Sequence, residues 1–313
     1  MIMRDKTKDK LSSQSQRFFK SHYSGLGQKK NKGSRLIHGR RTLKEQARIV
    51  AKAAYDLGVN RIKHITPTMA QQYLIHCRDR GLSQKYLSSI KRSLERTVYL
   101  KEPEKKLDNV IALPRKWVPL TDRDRAYTND QIREIITHLS PAAEFSTLLA
   151  YHAGLRVEEL LTIKRLNEAT VSTTRKWSDQ RFLGREEGTR YIVTGKNGLR
   201  REVMFDKELA QRLESQRLDT PQTVYDRGEP FLVHYDILGG KRFSEAFSHA
   251  SYKTLGWSHG AHGLRFSYAQ QRMDHELLNI PYSQAKLIVS QELGHFREHI
   301  TDRYIEPYGK ISK

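Results

Sequence analysis

Leu293-Gly294-His295-Phe296-Arg297-Glu298-His299-Ile300-Thr301-Asp302-Arg303-Tyr304 follows the last apolar-periodic run of the chain. A glycine after such a run suits a helix C-cap, because it takes positive φ without steric cost. His295 is then aimed from a rigid helix end. The spacing predicts a further short helix from about Arg297 to Glu306, stopping before Pro307, with Tyr304 nine residues beyond His295. Each residue alone has an ordinary explanation: a histidine that caps a helix, a half-buried packing tyrosine. Tyr308 is a nearby second hydroxyl.

Working back along the chain, three more pieces carry chemistry-bearing side chains. His262-Gly263-Leu264-Arg265 puts a histidine and an arginine three apart, on one face of a helix. Tyr191–Thr194 and Glu202–Phe205 read as two strands around Gly195-Lys196-Asn197-Gly198, with Lys196 in the turn. Such a lysine is ordinarily just solvated, yet a hairpin tip also reaches into a DNA groove. Lys164 to Arg190 is long and charged before that hairpin, so the first strand of the sheet is hard to place. Ala153-Gly154-Leu155-Arg156-Val157-Glu158-Glu159-Leu160 follows, with Arg156 opening a helical stretch and Glu159 on its face. That pair is either a plain ion pair or a guanidinium held by a carboxylate so that its fork can grip a phosphate.

The remainder of the second half reads as mainly helical, from Thr128 through Ile132, Ile135 and Leu139. Pro103, Pro114 and Pro119 mark an extended linker. Before it, Leu43 to Leu57, a helix led by Thr66-Pro67, and a helix capped by Ser83 form a small bundle. Residues 1–35, rich in Lys, Ser, Gln and Gly, read as a basic flexible segment, within which Ser12 to Tyr23 could form a helix and the stretch around Gly25–Ser34 is the linker.

The 313 residues carry a formal charge of +21, which calls for a polyanion, nucleic acid first and an anionic membrane surface second. Residues 1–100 hold 23 of the 56 basic and only 6 of the 35 acidic side chains. The rest is nearly balanced, so its cations must matter singly. No basic helix with a bulky apolar face lies near either end, and no window approaches the ~18 apolar residues of a membrane span. Cys77 is the only cysteine, which excludes a disulfide framework and a multi-cysteine zinc module. Met1-Ile2-Met3 runs directly into charged residues, without a signal-peptide-like stretch. An intracellular, cytoplasmic protein is expected.

Gly-Leu-Arg-x-x-Glu-Leu, a turn lysine about 40 residues on, His-x-x-Arg, Leu-Gly-His and a tyrosine at +9 together resemble the tyrosine recombinase (lambda-type integrase) family. The resemblance runs from about Thr128 to Tyr304. Ile65-Thr66-Pro67 and Gly81-Leu82-Ser83 are similar to helix starts of that family's core-binding domain. The resemblance implies a mainly α fold with a small antiparallel β-sheet. It implies a helical core-binding (SAM-like) bundle at 36–104, an interdomain linker at 105–125 and a mixed α+β catalytic domain at 126–313. It implies DNA integration or recombination by a mobile-element enzyme acting on double-stranded DNA, without metal, ATP or other cofactor. A homo-oligomer, a tetramer on two DNA sites, is part of that expectation.

By motif position, Tyr304 would be the nucleophile that leaves a 3′-phosphotyrosine. Arg156 and Arg265 would clamp the non-bridging oxygens, and Lys196 would protonate the leaving 5′-oxygen. His262 and His295 would hydrogen-bond the phosphate and assist proton transfer, and Glu159 would orient Arg156. The chemistry asks for such groups in any case. A phosphorane-like transition state gathers negative charge, so fixed cations stabilise it selectively. Tyrosine, with a pKa of ~10, needs a cation or a base to become a nucleophile near pH 7. A type IB topoisomerase shares this chemistry. A non-catalytic DNA-binding protein (a decayed integrase) shares the charge but has no use for a spaced nucleophile. A metal hydrolase on His295 and His299 lacks acidic partners at motif spacing.

Overall fold

The computed structural model describes residues 6–305 apart from 27, 29, 30, 32 and 114–124. It divides into two compact units, Met1–Trp117 and Val118–Lys313. The first is helical: α1 (Lys6–Tyr23), α2 (Arg40–Asp56), α3 (Pro67–Asp79) and α4 (Gln84–Val98). Thr66 and Ser83 cap α3 and α4 by accepting from Met69 N–H and Tyr86 N–H, as the cap residue of a helix should. Ala47, Val50 and Ala54 give α2 a small-residue face.

Residues 6–23 are a docked helix, longer than the one that Ser12 to Tyr23 could form by sequence and not part of a flexible segment. Leu11, Ser15, Phe19 and Tyr23 recur every four residues and are buried. The Ser15 hydroxyl donates to Ala47 O of α2 at 2.7 Å, and Tyr23 OH donates to Arg96 O of α4 at 2.7 Å. A serine in the stripe hides the apolar periodicity, but its hydroxyl is satisfied, so the helix docks. The stretch after α4 is also packed: Leu107 and Val110 are buried, and Leu107 N–H donates to the Glu95 carboxylate. The remainder of the linker expected at 105–125, from 114 to 124, lies outside the described residues.

The second unit opens with α5 (Asn129–Ile136), started by a reciprocal Thr128–Gln131 capping box. Ser140 caps α6 (Pro141–Ala153). Strands β1 (Lys164–Arg165), β2 (Thr189–Thr194) and β3 (Arg200–Phe205) form an antiparallel sheet in that order, with Val193 opposite Arg201. After α7 (Lys207–Ser215) comes a hairpin of β4 (Arg217–Asp226) and β5 (Glu229–Tyr235). Helices α8 (Gly240–Leu255), α9 (Gly263–Gln271), α10 (Tyr282–Glu292) and α11 (Asp302–Ile305) complete it. The unit is thus mainly helical with small antiparallel sheets. Among the described residues, no helix is long and apolar enough to cross a membrane.

Two apolar clusters flank the site. One gathers Leu149, Val193, Phe205, Phe243, Phe247 and Leu264; the other gathers Tyr268, Val289, Leu293, Tyr304 and Ile305. Helix α9 feeds both, Leu264 to the first and Tyr268 to the second, and Arg265 follows Leu264 on the same helix.

Three local readings need correction. The β4–β5 hairpin falls where helix was expected. Its turn is Arg227-Gly228, both at positive φ, the geometry a two-residue hairpin turn requires. Pro221 and Pro230 break up the strand pattern, and arginine is an unusual first turn residue, so the signal was masked. Arg156 does not open a helix: a short 3₁₀ turn at Glu159–Thr162 stands there. The helix expected from Arg297 splits into a 3₁₀ turn (Glu298–Ile300) and α11. Thr301, fully buried, donates to Lys286 O of α10 and pins the break between them.

Candidate active site

Helix α6 ends on Gly154 at φ +58°. A Cβ there would lie 2.7 Å from both the Leu293 and Tyr268 side chains, so only glycine fits. This close approach sets the end of α6 against the end of α10. Two residues on, Arg156 is tied to Glu159 twice: its backbone N–H donates to Oε2 at 2.9 Å and its Nη1 to Oε1 at 2.7 Å. Glu159 is 1% exposed. Burial alone would raise its pKa, but Arg201, Arg265 and Arg156 outweigh that and hold it at about 2. The carboxylate is therefore ionised at neutral pH.

Arg265 is wholly buried. Its Nη1 donates to Gly154 O, its Nη2 to Leu293 O, and its Nε to the Tyr304 hydroxyl at 3.3 Å. The two carbonyls belong to the C-caps of α6 and α10. Helix C-termini present unsatisfied carbonyls and partial negative charge, so a cation seated there is doubly favoured. Burial, then repulsion from Arg156, lowers its pKa to about 10, which leaves it charged at pH 7.

Gly294 at φ +73° turns the chain out of α10, as its place in the sequence predicts, and His295 N–H returns to Ser290 O at 2.7 Å. His295 Nε2 lies 3.4 Å from Arg156 Nη2 and 3.4 Å from the Tyr304 hydroxyl. An arginine N–H can only donate, so Nε2 accepts, and the neutral ring carries its proton on Nδ1. Burial, then Arg265, Arg156 and Arg201, pushes the His295 pKa down to about 3. Tyr304 is 7% exposed, its ring 4.8 Å from that of Phe266. Its oxygen accepts from Arg265 Nε, and its O–H donates to His295 Nε2. The hydroxyl thus lies between a guanidinium that donates to it and an imidazole nitrogen that accepts from it.

His262 stands at the start of α9 with its ring 6.1 Å from that of Tyr304. The ring reaches solvent. Desolvation of its inner edge, then Arg265, Arg156 and Arg125, lowers its pKa. Lys196 is exposed in the β2–β3 turn. The residue before it is pressed on the site, since a Cβ on Gly195 would meet Glu159 Oε1 at 2.7 Å. Thus the sequence-expected residues Arg156, Glu159, Arg265, His295 and Tyr304 form one hydrogen-bonded chain, His262 lies beside it, and Lys196 is brought near by its turn without joining it. Tyr308 lies outside the described residues.

Sequence reasoning missed Arg201. It is 1% exposed on β3 and pairs with Glu159 Oε2 at 2.8 Å. In an Arg200-Arg201 pair nothing marks which arginine points inward; only the strand register does. It also missed Glu292, whose buried carboxylate takes Arg272 on both oxygens, at 2.7 and 3.0 Å, together with Tyr268 OH and Phe182 N–H.

The fold is shared with solved structures. The Tn1549 transposon integrase, in complex with a circular intermediate DNA, matches with a TM-score of 0.51 at 12% identity, over 93% of this chain and 94% of that one. The XerH site-specific recombinase, bound to its difH substrate in a pre-cleavage complex, matches at 0.50 and 13% identity, over 97% and 93%. No protein-family model and no curated protein matches the chain.

Proposed function

We propose that this chain is a tyrosine site-specific recombinase or integrase that cuts and rejoins double-stranded DNA. The observation that carries this reading is the placement of Tyr304 OH, 3.3 Å from Arg265 Nε and 3.4 Å from His295 Nε2, with Arg156 on the same imidazole. The whole-chain likeness of fold to a transposon integrase and a site-specific recombinase supports it.

In the proposed step, the negative charge of the scissile phosphate offsets the arginines that depress His295 and restores its basicity; Tyr304 oxygen then attacks the phosphorus and its proton passes to His295 Nε2. Arg156 and Arg265 stabilise charge on the non-bridging oxygens, and His262 donates a hydrogen bond to them. The bond to the 5′-oxygen breaks, and Lys196 supplies the proton that the leaving alkoxide needs. A 3′-phosphotyrosine and a 5′-hydroxyl result. Attack by another strand's 5′-hydroxyl reverses each transfer, so no external energy source enters. Strand exchange needs two duplexes, which implies several protomers acting together, a tetramer in the simplest arrangement. The exposed cations of residues 1–100 supply the sequence-independent hold on the phosphate backbone.

The test is adduct capture. The full chain is incubated with a pool of nicked duplexes of random sequence, and protein–DNA species that survive detergent are isolated. The expected result is an adduct that maps by mass spectrometry to Tyr304 and vanishes in Tyr304→Phe. An adduct on Tyr308, or none from the whole pool, overturns the reading. Relaxation of supercoiled plasmid irrespective of sequence would move it to a topoisomerase.

A further inference from the structure

The proposed phosphate-contacting groups come from separate pieces of chain: Arg156 after α6, Lys196 between β2 and β3, and His295 after α10. One buried side chain touches all three pieces. Arg201 lies on β3, on the same hairpin as Lys196 and opposite Val193 in the register. Its Nη2 donates to Glu159 Oε2 at 2.8 Å, the oxygen that also accepts the Arg156 backbone N–H. Its Nη1 donates to Glu292 O at 2.5 Å, one peptide before the Leu293 carbonyl that holds Arg265 and three residues before His295. Its Cδ lies 3.0 Å from where a Cβ on Gly294 would stand, so the guanidinium stem lies directly under the turn that aims His295.

We propose that Arg201 is a positioning residue of the site, a strut that sets the Lys196 hairpin, the Arg156–Glu159 pair and the His295 turn at fixed mutual distances. Arg201 touches none of the reacting atoms. It acts through Glu159 on Arg156 and through the Glu292 peptide on His295. Two features separate this role from plain core stabilisation. The two Nη atoms bind acceptors on different segments, which a planar fork does and a point cation does not. The Nε is buried without a hydrogen-bond partner. A buried donor left unmet is disfavoured, so the side chain is placed for its two outer contacts at the expense of the inner one.

The inference rests on the strand-cleavage reading, and the experiment separates the two. Full-chain protein, in excess over a duplex chosen from the captured pool, is followed through a single turnover. Wild type, Arg201→Lys and Arg201→Met are compared. The endpoint counts correctly folded molecules; the rate constant reports the site within them. Arg201→Lys keeps the charge but reaches only one acceptor. The expected result is a rate constant lower by about a hundredfold in both variants, the scale of loss from an ångström-sized misplacement. The half-saturating DNA concentration changes less than about threefold, because the DNA-contacting cations are untouched. A lower endpoint with an unchanged rate constant overturns the proposal and leaves Arg201 a structural ion pair. A wild-type rate constant in Arg201→Lys also overturns it, because charge alone then suffices. Absence of any adduct from wild type refutes the cleavage reading and the strut with it, whereas equal rates refute the strut alone.

Discussion

Both units carry exposed cations, but among the described residues only the second buries arginines outright. In the first, Arg48 pairs with Glu45 and Lys52 with Asp56 at the surface, with side chains 61%/42% and 50%/25% exposed. In the second, Arg201, Arg265 and Arg272 are between 0% and 1% exposed, each with named acceptors. Exposed charges are screened, mobile and interchangeable, so only their sum matters. Buried charges have fixed partners and act singly. Formal charge therefore reports on the first unit and says little about the second, where the chemistry is proposed.

The sharpest way to break this contrast is to remove a buried carboxylate. Glu159→Gln leaves Arg201 and Arg156 without their anion, and should cost about 3–5 kcal/mol of stability in urea unfolding. A loss below about 1 kcal/mol would mean that the buried pair behaves like a surface one.

Acid is the next lever. His295 titrates at about 3 in the folded chain against ~6.5 in an unfolded one, and Glu159 at about 2 against 4.5. In both cases the unfolded chain takes up protons first. Stability should fall as pH drops below about 6.5, and more steeply below about 4.5. Thermal midpoints recorded from pH 7 to 4 check this, and His295→Gln should shrink the upper part of the decline, with His262 and His152, whose pKa values burial also lowers, supplying the remainder. A flat profile above pH 5 in the wild type would contradict the neutral imidazole.

Salt addresses the first unit. Lys85 and Arg92 are exposed on α4. If both meet phosphate, replacing both by Gln should lower the slope of log affinity against log salt by about 2. Fluorescence anisotropy on a generic duplex measures this, and an unchanged slope removes α4 from the interface. The smallest effect belongs to Glu45→Gln, which should change stability by less than about 1 kcal/mol.

Much of the site was legible because its residues fall at short, helix-related spacings. Gly154, Gly294 and the His262–Arg265 pair are local features, and local features are written in sequence. Arg201 was not legible, because its inward direction depends on the β2–β3 register. The β4–β5 hairpin was not, because prolines and an arginine in its turn obscure the alternation. The docking of α1 was not, because Ser15 interrupts its apolar stripe and only the Ala47 carbonyl explains it. For Arg201 and α1 the missing information was a partner far along the chain; for the hairpin it was the local chemistry of its strands and turn.

The seat of Arg265 has one more consequence. Two of its three acceptors, Gly154 O and Leu293 O, are main-chain atoms that every residue type possesses. Such a seat places almost no demand on neighbouring side chains beyond a glycine at 154. Substitutions around it leave the guanidinium seated. A binding pocket specified by peptide groups is therefore indifferent to most of the side chains around it.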